Sequence, residues 1–341
     1  MNRRYFMTLL ANGGLVAGAL RAEHRVISME PLEMEFDLCS LQGQYTSVED
    51  FYVRNHFESP SIPQAASLRI EGEVELPRQL TRADFATLKE RKFGALLECA
   101  GNRVGSTGLV SNGEWTGWAL KDILMLARPT LAAGHLHLHG RDGYKRSVPM
   151  DRAIADALLV TQLNSRPLTL PHGAQWRALL PGWYGMDSVK WLERIVVAAA
   201  PLPDEGGTYL QSRQTSSGEI ERGPLPRVRV KSIILNPRSG SVLRKGKTDI
   251  RGLAWTGAGT IDSVELSADA GRTWQPASLV PAGALEWVIW KTSVELTEVG
   301  TVDFVSRAKE TTGQVQPAER DTSRLDGYAN NWYHRVRCTV V

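Results

Sequence analysis

The chain of 341 residues has little cysteine, no dominant charge and no long apolar run. Its three cysteines are too few and too scattered for a disulfide framework or a zinc finger, and no CxxCH motif for a c-type haem occurs. Lys and Arg number 40 against 37 Asp and Glu, and this balance argues against a nucleic-acid-binding protein. Beyond the N-terminus no segment approaches 18 apolar residues, so we expect no membrane span in the mature protein. The hydrophobic fraction of 42% is typical of a folded, soluble chain.

Residues 1–22 have the pattern of an export signal. Arg3-Arg4 precedes an uncharged, largely apolar run over residues 8–20, which has the length of a signal h-region. Ala17-Gly18-Ala19 supplies a small-residue cleavage site. The paired arginines and the aromatic residue after them resemble a twin-arginine signal, so we expect a periplasmic protein. A buried N-terminal helix is the alternative, and Gly13-Gly14 argues against it because paired glycines weaken a helix interior.

Two domains are expected after the signal, at residues 23–223 and 224–341. The first mixes short strands, such as 68–74, with short helices, which indicates an α+β domain with a mostly β core. Its helices are predicted at 81–91, 120–126 and 150–159. A Gly- and Pro-rich linker at 223–226 separates it from the second domain.

The second domain is expected to be a β-sandwich, because short strands alternate with Gly and Pro. The predicted strands are 228–230, 241–243, 248–252, 263–266, 287–290, 301–305 and 336–340. A tight hairpin is expected at Asp269-Ala270-Gly271. Four tryptophans are expected in the core of the sandwich, namely Trp255, Trp274, Trp287 and Trp290.

Three stretches carry residues suited to binding and chemistry. Cys99, between small residues at a predicted strand end, has three interpretations: a buried structural cysteine, a nucleophile or a soft metal ligand. Arg54 lies in an Arg-Asn-His run, where its planar fork suits a tetrahedral oxyanion or, equally, a structural salt bridge. Gly-rich turns over residues 170–192 carry His, Arg and Lys, which favours an anion-binding cradle.

Taken together and in this order, the elements R-N-H, C-A-G-N-R, H-G-x-x-x-R and V-K-W-L resemble the sulfite oxidase family of molybdenum enzymes. Residues 330–336 are similar to the family's C-terminal signature, and residues 267–274 to a recurring element of its second domain. The resemblance extends from about residue 51 to the C-terminus. It implies a mixed, mostly β molybdopterin-binding domain with the sulfite oxidase fold, followed by an immunoglobulin-like dimerisation domain. It also implies a homodimer with one Mo-molybdopterin per chain.

The resemblance assigns roles to individual residues. Cys99 matches the cysteine that ligates molybdenum, Arg54 matches the arginine that reaches the substrate oxyanion, and Trp115 matches a pocket tryptophan. The positions that match cofactor-binding residues are Tyr52, Asn55, His56, Asp142, His172, Arg177, Ser188, Val189 and Lys190.

The implied reaction is oxygen-atom transfer, in which sulfite or a related sulfur oxyanion is oxidised. No haem is expected, since the chain has neither CxxCH nor a segment like cytochrome b5. A separate electron-transfer protein, such as a cytochrome c, is therefore the expected partner. Two alternatives stay open: reduction of a sulfoxide by the same cofactor, and a non-catalytic immunoglobulin-like binding protein.

Three positions depart from the family's sulfite pocket. Val104 stands where many members have a second arginine, Thr215 stands near an expected tyrosine, and Asp326 replaces an arginine that closes the pocket. The loss of two cations and the gain of an anion disfavour a small dianion, because a close charge pair is worth roughly 1 kcal/mol or more even in wet sites. The substrate is therefore not fixed by the sequence.

Two further patterns favour structural interpretations. His135, His137 and His139 alternate with leucines, and we expect a row of histidines outside with leucines inward rather than a Zn or Cu site, since no fourth ligand is near. Cys39 and Cys338 could pair in an oxidising periplasm, but the sequence does not give their distance, and we leave them unpaired.

Overall fold

The computed structural model describes residues 24–63, 66–102, 108–203 and 209–341. The predicted export signal at 1–22 lies outside the described residues, as does Val104. The described chain is mostly β, and none of its helices has the length and apolar character needed to cross a membrane.

The first domain consists of short strands joined by a few helical turns. Its described strands are β1 His24–Met29, β2 Leu32–Phe36, β3 Val53–Arg54, β4 Leu68–Gly72, β5 Arg78–Leu80, β6 Glu90–Glu98, β7 Val110–Ala119, β8 His135–Gly140, β9 Lys145–Pro149, β10 Leu158–Leu163, β11 Arg166–Pro167, β12 Arg177–Leu179, β13 Leu192–Ala198, β14 Leu210–Gln214 and β15 Ile220–Pro224. Its α-helices are α1 Leu120–Met125 and α2 Met150–Ala155, and its 3-10 turns are Leu38–Ser40, Arg82–Phe85, Leu170–His172 and Gly185–Asp187.

Two five-stranded sheets form the body of this domain. One has the order β11-β10-β7-β6, with β12 also paired to β10, and the other has the order β5-β4-β13-β8-β9. One apolar cluster joins Leu159 of the first sheet to Ile195 of the second. A second cluster on the other face of the first sheet contains Leu97, Trp115 and Val160. The first sheet is therefore covered on both faces, which explains why three consecutive apolar residues, 158–160, begin β10.

The helix predictions met different outcomes. The predicted helix at 120–126 is confirmed as α1. The predicted helix at 81–91 is wrong, because the Thr81 capping box starts only the 3-10 turn Arg82–Phe85 and β6 begins at Glu90. The helix predicted at 150–159 ends at Ala155, since Leu158 already pairs with β7 and β12. Pairing with neighbouring strands outweighs local helix signals at both places.

The second domain is the predicted immunoglobulin-like β-sandwich. Its sheets have the orders β16-β18-β22-β21 and β17-β24-β23-β19-β20. Its strands are β16 Lys231–Asn236, β17 Val242–Leu243, β18 Gly246–Trp255, β19 Ile261–Ser267, β20 Gln275–Pro276, β21 Ser278–Leu279, β22 Val288–Leu296, β23 Gly300–Glu310 and β24 His334–Val340. The core between the sheets contains Ile234, Trp290 and Phe304. The first strand lies at β16 rather than at the predicted 228–230.

The tryptophan prediction holds for Trp290 alone. Trp255 and Trp287 are fully buried, but they pack in a cluster that also contains residues of the first domain. Trp274 is half-buried, and the Arg307 guanidinium lies 4.0 Å from its ring. A hairpin joins β19 and β20 as predicted, with Ala270 and Gly271 in the left-handed region at φ 64° and 98°, but its connection over residues 267–274 is longer than the tight turn expected. Two of the large aromatic residues thus form the joint between the domains.

Candidate functional site

The sequence elements singled out above converge on one cleft of the first domain. The cleft encloses about 720 Å³ of non-protein space, part of it open to solvent. All but one of the predicted site residues line it: Tyr52, Arg54, Asn55, His56, Cys99, Asp142, His172, Arg177, Ser188, Val189 and Lys190. Segments more than 100 residues apart in sequence therefore form a single wall.

Cys99 lies just past the end of β6, where the chain turns away from the sheet. Its backbone N–H donates to the Leu109 carbonyl at 2.9 Å, and its carbonyl accepts the Asn102 N–H at 2.9 Å. Burial raises the pKa of the Cys99 thiol, although the Gly101 backbone N–H and the charge of Arg54 oppose that rise. A buried thiol of this kind becomes a thiolate when a metal cation binds it.

Buried cations form the floor of the cleft. The Arg177 guanidinium donates to the Ser188 carbonyl at 2.8 Å and to the His172 carbonyl at 3.3 Å. Lys190 donates to the Pro171 carbonyl at 3.0 Å and also to Asn55 Oδ1. Neither cation forms an ion pair with a carboxylate of the described residues. Burial lowers the pKa of Arg177 to about 10, and burial together with Arg177 lowers the pKa of Lys190 well below its ordinary value.

His172 completes this floor as a neutral imidazole. Burial and the nearby Lys190 charge lower its pKa to about 3. Its Nε2–H donates to the Val48 carbonyl at 3.0 Å, which fixes the ring. The other ring nitrogen then carries no proton, so His172 adds polarity to the floor without a further charge.

The floor fits an anionic group such as a phosphate. Arg177 Nε is buried with no hydrogen-bond partner among the described residues. A buried donor without a partner costs free energy, and so do desolvated cations that only the Asp142 carboxylate, near Lys190, partly balances; an incoming anion offsets both costs. The donor set therefore suits the phosphate of a molybdopterin, and Cys99 on the same cleft suits its metal.

The adjoining predicted contacts shape the walls. Ser188 accepts the Leu180 N–H on its hydroxyl at 3.0 Å, and Val189 is fully buried next to it. Asp142 accepts the Tyr144 N–H at 3.1 Å, and burial raises the pKa of its carboxyl. A carboxyl held in this way can accept hydrogen bonds from the ring nitrogens of a pterin.

Arg54 lies at the open mouth of the cleft and is already paired. Its Nη1 lies 2.8 Å from Glu33 Oε2, and the two side chains are 43% and 18% exposed. The pair follows from the strand register, since β2 and β3 place Glu33 opposite Arg54. Sequence reasoning missed Glu33, because only the pairing of β2 with β3 reveals it.

Tyr209 is a second residue that sequence reasoning missed. It lines the cleft with φ at +62°, and its ring lies 5.4 Å from Tyr328 and 6.4 Å from His56. Thr215 lies in the turn between β14 and β15, away from the cleft lining. The expectation that Thr215 leaves the pocket without its tyrosine is therefore not met.

Asp326 does not place a free anion in the cleft. Its carboxylate pairs with Arg324 at 2.8 Å and accepts the backbone N–H groups of Ser212 and Tyr328 at 3.0 and 2.9 Å. Its side chain is 6% exposed, and it is absent from the cleft lining. The expected repulsion of an anionic substrate by Asp326 is thus neutralised within its own loop.

Trp115 is the predicted residue that the structure does not bring to the cleft wall. It is fully buried, and its indole N–H donates to the Ala95 carbonyl at 3.1 Å. The edge of Phe51 meets it at 5.4 Å between ring centroids, and the Arg177 guanidinium lies 5.7 Å from its ring. Trp115 therefore supports wall residues from behind and does not touch a ligand in the cleft.

The predicted alternation of histidines and leucines along β8 is observed in part, because His139 is itself buried and lies 3.2 Å from the Arg194 guanidinium. Leu136 and Leu138 are fully buried, while His137 Nε2 lies 2.9 Å from the Ala200 carbonyl. Within the described ranges no group of three His, Cys, Asp or Glu side chains could hold a metal ion. Cys39 and Cys338 are free thiols.

Comparison with known proteins gives matches over both domains. The model described as oxidoreductase molybdopterin binding domain matches residues 56–205, and the Mo-co oxidoreductase dimerisation domain matches residues 224–341. The chain is 30% identical to the sulfite oxidase of Gallus gallus, over 91% of this chain and 77% of that protein. It is 28% identical to the sulfite oxidase of Arabidopsis thaliana, over 92% and 93% of the two chains.

Two further comparisons bear on length and on fold. The chain is 28% identical to the mitochondrial sulfite oxidase of Mus musculus, and it spans 62% of that protein. Among solved structures, the sulfane dehydrogenase SoxCD from Paracoccus pantotrophus superposes with a TM-score of 0.82 at 24% identity. That superposition covers 94% of this chain and 92% of the other, and it shows a common fold.

Proposed function

We propose, because this chain belongs to the sulfite oxidase family of molybdopterin-dependent oxidoreductases, that it oxidises sulfite or a related small sulfur oxyanion by oxygen-atom transfer. One observation carries the proposal. A free thiol, a mouth arginine and two floor cations that form no ion pair among the described residues share a single cleft. Each of these groups suits a different part of the cofactor and substrate, and the fold brings them together.

Different residues of the cleft hold different parts of the one Mo-molybdopterin per chain. Arg177 and Lys190 hold the phosphate, because they supply buried positive charge and donors. Cys99 supplies the one protein ligand to the metal, through its thiolate. When bound, the cofactor supplies a metal centre that accepts two electrons and transfers an oxygen atom.

Arg54 and Tyr209 hold the substrate at the open end of the cleft. Burial raises the pKa of Tyr209, and the neighbouring Cys99 adds to the rise, so the phenol stays protonated and donates a hydrogen bond. Arg54 supplies a charged donor fork, which it shares with Glu33. A substrate oxyanion that displaces part of the Glu33 contact gains a charge-assisted hydrogen bond from Arg54.

The Glu33 contact also favours a second candidate, reduction of a neutral sulfoxide with the same cofactor. Glu33 cancels much of the Arg54 charge at the mouth, and a neutral substrate does not have to compete with that carboxylate. Electron direction separates the two candidates. Oxidation predicts sulfite-driven reduction of cytochrome c, and reduction predicts sulfoxide loss driven by an added electron donor.

Metal analysis and pterin fluorescence of the purified protein test the shared premise. We expect close to one molybdenum and one pterin per chain. Protein that folds but holds neither would contradict the enzyme proposal and would favour the non-catalytic binding protein. Substrate assays on the loaded protein then decide between sulfite and sulfoxide.

The proposal extends to the setting in which the enzyme works. We propose a homodimer formed through residues 224–341, which the match to a dimerisation domain supports. We also propose export to the periplasm by the twin-arginine route, with a separate cytochrome c as electron acceptor. The test of export is replacement of Arg3-Arg4 by Lys-Lys, which we expect to retain the precursor in the cytoplasm. Periplasmic arrival of that variant at the normal level would contradict the assignment.

A further inference from the structure

Alternate residues at the end of β6 face two different parts of the molecule. Leu97 and Cys99 line the cleft. Leu96 points the other way, into the apolar cluster that contains Trp255 of the second domain, and Ala100 borders both that cluster and the cleft. This division follows from the two-residue period of a strand. The cysteine segment is therefore a single layer between the cleft and the β-sandwich.

Backbone hydrogen bonds from the second domain hold this layer on both sides of the cysteine. The Leu96 N–H donates to the Leu285 carbonyl at 2.8 Å, and the Ala329 N–H donates to the Ala100 carbonyl at 2.8 Å. These contacts fix the main chain three residues before Cys99 and one residue after it.

A buried carboxylate makes the third connection, at Glu98. Its Oε1 accepts from Lys231 Nζ at 2.5 Å, and its Oε2 accepts from the Trp255 indole N–H at 2.9 Å. The Glu98 and Lys231 side chains are 1% and 3% exposed. An ion pair buried this deeply requires near-complete hydrogen bonding to be tolerated, so its geometry is narrowly defined.

Glu98 also hydrogen-bonds to the loop that follows Cys99, so the buried ion pair helps to hold that loop. Its Oε1 also accepts from Asn102 Nδ2 at 3.0 Å. The Asn102 backbone N–H donates to the Cys99 carbonyl at 2.9 Å, and its Oδ1 accepts the Leu109 N–H at 3.3 Å. A continuous set of hydrogen bonds thus runs from the sandwich residue Lys231 to the turn that presents the thiol.

We propose that Glu98, Lys231 and Trp255 are positioning residues for Cys99, so that the second domain sets the orientation of the thiol as well as forming the dimer. The assignment of Cys99 as the metal ligand rests on the proposed function. The placement of the thiol is a property of the chain itself. Small displacements of a reacting group cost activity steeply, and rigid support from neighbouring residues prevents them.

The test is the double variant Glu98→Gln/Lys231→Met, which removes both charges and avoids an unpaired buried ion. The first readout is alkylation of Cys99 in the full-length chain prepared without cofactor, resolved by peptide mass spectrometry. We expect alkylation to become about fivefold faster or more, the effect of roughly 1 kcal/mol of lost local order. Cys39 in the same sample serves as an internal reference, and its rate should not change.

The second readout uses the loaded enzyme. We expect a lower molybdenum content per chain, an altered paramagnetic resonance signal of the reduced metal, and a fall in kcat with little change in KM. A change in alkylation without any sulfite oxidation would refute the substrate proposal and would leave the positioning proposal intact.

The matched control is Glu310→Gln, which alters another buried carboxylate of the sandwich. Glu310 is 3% exposed and hydrogen-bonds to Thr256 and Thr312. Loss of this carboxylate should lower the melting temperature without changing Cys99 alkylation. Trp255→Phe is the milder companion, because it keeps both charges and removes the indole donor with part of the buried ring, and it should accelerate alkylation to a smaller extent. If the double variant does not fold, Trp255→Phe decides. The proposal would be overturned if Cys99 in the tested variant is alkylated no faster than in Glu310→Gln at the same loss of thermal stability.

Discussion

The substitution Glu33→Gln is the most direct test of how the charge of a substrate affects its binding in the cleft. In the structure Glu33 holds Arg54 at 2.8 Å, so part of the arginine's charge is already used when a substrate arrives. The substitution keeps a side chain of the same size and removes its negative charge. We expect a sulfur oxyanion to bind more tightly, because it no longer competes with a carboxylate for the guanidinium.

The exposure of the pair sets the expected size of this effect. Unit charges 4 Å apart interact by about 1 kcal/mol in water and about 4 kcal/mol at an effective dielectric constant of 20. Arg54 is 43% exposed, which places this pair near the lower value. About 1 kcal/mol corresponds to a roughly fivefold lower KM for sulfite at low ionic strength. The gain should shrink as salt is added, since exposed charges are screened.

Steady-state kinetics of the wild type and the variant, with sulfite and with a neutral sulfoxide, measure this effect. Glu49→Gln is the matched control, because Glu49 pairs with Arg166 on the surface at 2.5 Å and neither residue lines the cleft. The control should leave KM unchanged. Equal sulfite KM values in wild type and Glu33→Gln would refute the view that Glu33 restrains Arg54 against anionic substrates.

Three further expectations test the metal ligand, the oligomer and the buried charges. Cys99→Ser should retain most of the pterin, since the proposed function has Arg177 and Lys190 bind the phosphate end independently, yet lose nearly all turnover; pterin fluorescence and activity measure the two effects. Light scattering of the mature protein at micromolar concentration should give twice the mass of one chain, and a monomer would contradict the dimer. Folding lowers the pKa of His172 to about 3 from an ordinary value near 6.5. Between these two pH values the unfolded state therefore binds a proton at His172 that the folded state does not bind. Stability of the cofactor-free chain should therefore be full above about pH 6.5 and fall as the pH drops toward 3. Thermal melts at several pH values measure this fall, and His172→Gln should make it shallower.

The sequence predicted the cleft better than it predicted the local structure around it. The cleft residues were predicted because their order along the chain resembles a family, whereas the residues taken alone left Cys99 with three interpretations. The helix predicted at 81–91 is wrong because the prediction used a local signal, whereas the structure of the segment depends on a distant strand. Its cap at Thr81 is real, but the segment beyond it becomes β6, whose partner β7 is not apparent from that segment.

The residues that the sequence did not reveal depend on pairing between distant segments. Glu33 becomes relevant because β2 lies against β3, and Tyr209 because the chain before β14 returns to the cleft. Trp255 was expected in the sandwich core and instead meets Glu98 of the first domain. Periodicity tells which residues share a face of a strand, but it does not tell what that face will meet.

The positive charges at the floor of the cleft and at its mouth are compensated to different degrees, and this difference suits them to different roles. Arg177 and Lys190, at the floor, form no ion pair with a carboxylate of the described residues, although the nearby Asp142 partly balances the charge of Lys190, so an anion bound there offsets much of their desolvation cost. Arg54, at the mouth, has Glu33 as a partner in water, so anion binding there exchanges one partner for another and gains little. Under the proposed function, the strong binding at the floor serves the cofactor's phosphate, which should stay in place through many turnovers. The weaker binding at the mouth suits the substrate, because its product must leave after each turnover.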